Sequence, residues 1–200
     1  MIVESYVWRV YLARELRKIR RRIETTSGTR RSDVRERTAA LVEIFAFTSA
    51  FIARKLMESN KLSDDVREEP IPVEAYPRLD DGRVLIYLDR FEFFSFYDLE
   101  SPRAITVSGR DLCNYLIHSY VFSPNEGEEE TSRVSSIFVN SDQLKEEVLY
   151  EVQLGVFFSY IEAVVDDEID YFTFNRQSGK FAKPRRQQPM FDSIIEAVGR

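Results

Sequence analysis

Histidine and cysteine are almost missing from this chain. His118 and Cys113 are the only ones in 200 residues. A single cysteine excludes an intrachain disulfide, so the expected compartment is a reducing cytoplasm. With one histidine and one cysteine, a metal site would have to be built largely from carboxylates. The HExxH and CxxC zinc patterns are missing, as are a Gly-rich phosphate loop and a GxSxG elbow. No apolar run approaches a membrane span, and Met1 is followed by no signal-peptide pattern. Internal repeats and low-complexity tracts are also lacking. The expectation is a cytoplasmic protein with no membrane partner, no metal and no cofactor.

What is present is apolar and aromatic. A hydrophobic content of 44% suffices for one well-buried core, so residues 1–200 are expected to form a single domain. Aromatics at 13% favour β structure and large packed surfaces. The net charge of -6 hides an asymmetry. Residues 1–60 hold thirteen Lys/Arg against seven Asp/Glu, leaving fifteen against twenty-seven for the remainder. A basic N-terminal face on an acidic body can pair internally, dimerise or bind a polyanion locally. The overall acidity argues against tight, nonspecific binding to duplex DNA.

Apolar residues Val3, Tyr6, Val7, Val10, Leu16, Ile19 and Ile23 recur at helical spacing and predict a helix from residue 2 to about 25. Thr26 to Thr29 breaks it. A capping box at Asp33 and Glu36 starts a second helix, which runs to about Ser59 with the stripe Leu41, Ile44, Phe45, Thr48, Phe51, Ile52 and Leu56. Residues 1–60 therefore read as an antiparallel helical hairpin. Residues 61–77 hold three prolines and predict a connection with at most edge-strand character. Strands are expected at 84–88, 91–97 and 104–107, then a buried helix at 108–122, then an exposed acidic loop at 124–132. A hairpin of 137–140 with 148–154 follows, the second strand placing Val148, Tyr150, Val152 and Leu154 on one face. A helix over 156–165, a hairpin of 171–174 with 180–182, a linker at 184–189 and a short helix at 190–198 complete the chain. The class is α+β: a helical hairpin (1–60), strands plus the central helix (61–133), and a hairpin–helix–hairpin elaboration (134–200).

Three clusters carry candidate chemistry. Asp166, Asp167, Glu168 and Asp170 oppose a helix dipole and could hold Mg²⁺ or Mn²⁺; equally, they form a solvated helix end. Arg17, Arg20 and Arg21, with Arg30 and Arg31 across the loop, could grip RNA phosphates at one end of the hairpin; alternatively, acidic loops pair with them. In the central helix, Ser108 and Asp111 form a capping box, and Asn114 and His118 share a face. His118 is either a satisfied core residue or a general acid/base.

The run ITVSGRDLCNYLIHSYVF, after two long antiparallel helices, resembles the motif helix of HEPN domains. These are small helical, usually dimeric domains, many of them metal-independent ribonucleases of prokaryotic defence and toxin–antitoxin systems. Their motif is an Arg, four to six intervening residues and a His, often with a polar residue after the Arg. Asn114 and His118 match the polar residue and the His. The Arg position falls on Cys113, and Arg110 lies seven intervening residues before His118. The resemblance implies a homodimer in which two motif helices meet and His118 faces its mate. It implies His118, Asn114 and Arg110 as catalytic residues, with Arg110, or the more distant Arg103, in the cationic role during attack of an RNA 2′-hydroxyl. The alternative is a non-catalytic dimeric interaction or regulatory subunit, a scaffold or antitoxin that binds a protein partner, with Asn114 and His118 a buried hydrogen-bonded pair. A third reading is an unrelated α+β domain.

Overall fold

The computed structural model describes residues 2, 4–29, 31–86, 88–89, 92–125, 134–169, 173–175 and 180–182, the last two segments by their backbone. The chain begins as two long helices, α1 (Ser5–Thr26) and α2 (Ser32–Glu58). Gly28 lets the chain turn between them at φ 76°, a left-handed conformation that costs glycine little. The second helix starts one residue before the expected cap. Asp33 sits in its first turn, where its charge complements the helix dipole, and pairs with Arg31 at 2.8 Å.

Residues 61–77 are more ordered than their composition predicts. A short helix α3 (Asp64–Arg67) is capped by Ser63, whose hydroxyl accepts the Val66 N–H at 3.3 Å. Strand β1 (Pro70–Pro77) follows and is an interior strand, which corrects the expectation of an edge. The prolines are tolerated because pairing is offset. β1 residues 70–75 pair with β2 (Arg103–Ser108), whereas only 74–77 pair with β5 (Val148–Gln153). Pro70 and Pro72 thus lie where one side of the strand has no neighbour in the sheet.

With β3 (Ser119–Asn125) and β4 (Ser136–Ser141), these strands form a five-stranded antiparallel sheet of order β2-β1-β5-β4-β3. A bulge between Ser119 and Val121 is held by the buried Asn140, whose side-chain oxygen accepts the Val121 N–H at 3.1 Å. The helix α4 (Gly109–Ile117) ends five residues earlier than expected, because Ser119–Asn125 pairs with β4 instead. Its start is as the capping box predicts. The Ser108 hydroxyl accepts the Asp111 N–H at 3.1 Å and donates to the Asp111 carboxylate at 2.8 Å. Helix α5 (Leu154–Asp166) leaves β5 directly, and β6 (Thr173–Asn175) pairs with β7 (Lys180–Ala182). The expected loop residues 126–132, the linker 184–189 and the helix 190–198 lie outside the described residues.

The sheet is covered on both faces. Helices α1, α2, α4 and α5 pack on the face carrying Ile71, Val73, Ile137, Val139, Tyr150 and Val152. The segments expected as strands at 84–88 and 91–97 cover the other. Residues 84–86 are irregular and Phe93–Phe96 is a 3₁₀ turn, yet Leu85, Phe93, Phe96 and Tyr97 pack onto Tyr76, Val121, Phe138 and Leu149. Their aromatic, strand-like composition reflects burial against a sheet rather than pairing within one. Among the described residues the protein is α+β, with five α-helices and this antiparallel sheet. No helix among them is long and apolar enough to cross a membrane.

Gly109 marks the tightest contact between α4 and α5. A Cβ added there would lie 2.5 Å from the ring of the buried Tyr160. Helix propensity alone would make Gly109→Ala stabilising by about 1 kcal/mol. The clash reverses the sign: the variant is expected to lose about 1–3 kcal/mol in chemical denaturation.

Candidate functional site

Helix α4 holds the residues to which the sequence points, and its packing separates them. Cys113 is fully buried, with its sulfur 3.8 Å from the Tyr160 hydroxyl. Burial pushes its thiol up to about 12, despite the opposing hydrogen bond to Tyr160. Asn114 is half-buried, and its carbonyl accepts the His118 N–H at 2.9 Å to close the last helical turn. His118 follows the helix at its C-cap and is exposed, so it is not the core residue that its apolar neighbours suggest. Arg110 sits in the first turn, 3.8 Å from Glu68 and 3.5 Å from Asp111. Eight residues of helical rise put Arg110 and His118 about 12 Å apart along the axis. The single chain therefore brings Asn114 near His118 but leaves Arg110 at the opposite end. Arg103 is exposed at the start of the edge strand β2.

The basic run is dispersed in the same way. Arg20 forms an ion pair with Glu162 and stacks on Phe158, 5.5 Å from the ring centroid. Arg31 pairs with Asp33, while Arg17 donates to the Ala13 carbonyl of its own helix at 3.2 Å. Arg21 is exposed, and Arg30 lies outside the described residues.

The acidic cluster at the end of α5 borders a cleft of about 700 Å³. Within it, Asp167 is fully buried and accepts both the Ser63 N–H (2.6 Å) and hydroxyl (2.7 Å), tying α5 to the cap of α3. Arg9 donates to the carbonyls of Val164 (3.0 Å), Val165 (3.2 Å) and Lys61 (2.7 Å). A cation at this helix terminus offsets the unfavourable placement of the carboxylates. Asp170 lies outside the described residues, and among those described no group of three His, Cys, Asp or Glu is placed to hold a metal ion.

Two features escape the sequence reading. The first is Glu151, buried on the second face of the sheet. Its carboxylate accepts the Tyr76 hydroxyl at 2.7 Å, the Asn125 amide at 3.2 Å and the Ser136 hydroxyl. Tyr76 also lies 3.0 Å from Glu74. Burial, then the Glu151 carboxylate, pushes the Tyr76 phenol well up, so it remains a donor. The available signal was the alternation of β5, which sends Glu151 to the same face as Leu149.

The second is the outer face of the helical hairpin. The α2 stripe divides: Phe45, Ile52 and Leu56 are buried, whereas Leu41 (38% exposed), Ile44 (61%) and Phe51 (49%) face solvent. On α1, Leu16, Ile19 and Ile23 are buried, but Tyr6, Val7 and Val10 are not. Between the two helices runs a groove of about 220 Å³. Leu12, Ile19, Phe45 and Ser49 are the buried residues along it, and Tyr11, Leu41 and Ile44 are exposed along its sides. Glu15, Lys18 and Arg22 supply the α1 rim. Arg14 lies over the Tyr11 ring at 5.5 Å and Lys55 over Phe51 at 5.6 Å. The inverted exposure is visible in sequence only as stripes too wide for one buried face.

Comparison with known proteins matches no family model, no curated protein and no solved structure.

The exposed His118 is expected to be dispensable for folding, with His118→Ala within about 0.5 kcal/mol of the parent in urea denaturation. Cys113 makes a pH-dependent contribution of definite sign. Its folded pKa is raised, so stability is full below the ordinary thiol value of 9.0 and lost as pH climbs toward about 12. Between about pH 8 and 10, the parent should lose stability relative to Cys113→Ala.

Proposed function

We propose that this protein is a non-catalytic interaction module, whose working surface is the outer face of the α1–α2 hairpin. One observation carries the reading: Leu41, Ile44 and Phe51 form an exposed apolar row beside a groove whose buried apolar residues are Leu12, Ile19 and Phe45. Each large aliphatic or aromatic side chain that leaves water on docking contributes about 1.5–3 kcal/mol. A contiguous row of them, rimmed by charge, is the anatomy of a docking surface for an amphipathic helix. The isolation of His118 from Arg110, and the burial of Cys113 at the position of the motif arginine, support an architecture that resembles HEPN domains without their ribonuclease chemistry. In this reading the module acts as a scaffold, antitoxin or regulatory subunit in an RNA-related or defence-related setting.

The test is a photo-crosslinking amino acid at Ile44, introduced in the cells that make the protein, with Ser159 on α5 as the exposed control position. A defined protein adduct is expected at position 44, with none at 159 and none at 44 when Phe51→Asp is added. Failure of position 44 to form any adduct would refute the interaction reading. In parallel, metal-free incubation with a mixed RNA pool is expected to leave the RNA equally intact with the parent and with His118→Ala.

A further inference from the structure

We infer that the occupant of the hairpin face is a second copy of this chain, its α2 packed antiparallel on α2 across a two-fold axis at Thr48. This inference rests on the preceding reading of the face as a docking surface. Leu41, Ile44, Thr48, Phe51 and Lys55 follow one another at alternating three- and four-residue steps, the seam spacing of a coiled coil. The buried side of α2 repeats the spacing one position later, at Val42, Phe45, Ser49, Ile52 and Leu56. The helix therefore carries two parallel seams, of which the body of the protein fills one.

Charge and shape fix both the orientation and the partner. A parallel pair would set Arg37 against Arg37 and Lys55 against Lys55, with like charges at both ends of the apolar row. The antiparallel pair centred on Thr48 reverses this. The partner's Phe51 meets Ile44, the partner's Thr48 meets Thr48, and the partner's Glu58 comes level with Arg37. Glu58 holds Arg54 (3.3 Å) and Lys55 (2.8 Å) on its own helix, and an arriving Arg37 takes the place of Lys55 there. The partner's Lys55 crosses near Leu41, where its aliphatic stem covers apolar surface while its ammonium stays in water. Every contact has its mirror, as an isologous interface requires. The same row serves as both ligand and receptor, which an unrelated partner would match only by separate complementarity.

Sedimentation equilibrium from low micromolar to submillimolar concentration tests the inference, alongside disulfide trapping. The parent is expected to approach twice the chain mass, and Ile44→Asp to remain at one. Cys113 is buried, so the natural thiol does not compete when Thr48→Cys is oxidised with copper phenanthroline. Thr48→Cys should become a covalent dimer on a non-reducing gel, and adding Ile44→Asp should abolish it. Ser159→Cys should stay monomeric. Circular dichroism controls for folding of each variant. A parent that is monomeric throughout, or a dimer that Ile44→Asp leaves intact, would overturn the inference. The crosslinker at position 44 separates the two levels of failure. An adduct with a different protein sinks the self-association while leaving the docking face standing, and no adduct sinks both.

Discussion

From Leu149 to Val152 strand β5 has no face in water, and the remaining architecture follows from that constraint. Its odd and even positions both need cover: Val148, Tyr150 and Val152 on one side, Leu149 and Glu151 on the other. A helical layer solves the first side. The second carries a carboxylate, which grease alone cannot cover, because an unsatisfied buried acceptor costs about 1–3 kcal/mol and more when charged. Tyr76 from β1, Asn125 from β3 and Ser136 from β4 converge on Glu151, so one side chain fixes the relative placement of four strands. The aromatic segment beyond β1 then lies over this layer. Tyr97 is pinned there by donating to the Lys145 carbonyl at 2.6 Å and accepting from Asn140 at 2.6 Å.

The helical layer obeys a different rule, set by close approach. Ala46, Ser49, Ala50 and Ala53 line the inner side of α2 and are fully buried, and α4 packs against that helix. Gly109 and Cys113 keep α4 slim where it meets Tyr160. A guanidinium at position 113 would enter this contact without water or a counter-charge, at a cost no single ion pair recovers. The small residue at position 113 is therefore what lets a short helix wedge between α2, α5 and the sheet.

Much of the chain was legible because local chemistry and tertiary role agree. The Ser108 cap, the long helices, the alternation of β5 and the helical period of α5 follow from side-chain spacing alone. The failures share a cause: composition reports burial, and burial does not name the structure that achieves it. Phe93, Phe96 and Tyr97 have strand composition because they cover a sheet. Tyr120, Val121 and Phe122 extend the apolar run of α4, yet they belong to β3 and divide between the two layers: Tyr120 and Val121 lie with the second cluster, and the Phe122 ring sits 4.7 Å from Phe47. β1 tolerates its prolines only through an offset between its two neighbours, a property of the sheet and not of the segment. The same ambiguity hid the candidate site, since apolar stripes on α1 and α2 look alike whether they face a core or a partner.

That last ambiguity decides where function is to be sought. The body buries one seam of α2 completely and still leaves Leu41, Ile44 and Phe51 in water, although polar residues there would cost the fold nothing. Arg14 and Lys55 lie over Tyr11 and Phe51, a cover that keeps the row hydrated without removing its apolar surface. Cations on flexible stems move aside at little expense when a helix arrives. The polar residues of α4 offer no such surface: Arg110 is engaged by carboxylates, and Asn114 closes the turn that leads to His118. Val84, Ile86 and Leu88 are exposed as well, but the apolar residues of the hairpin are the ones that border a groove between two helices, which is why binding is proposed for that face.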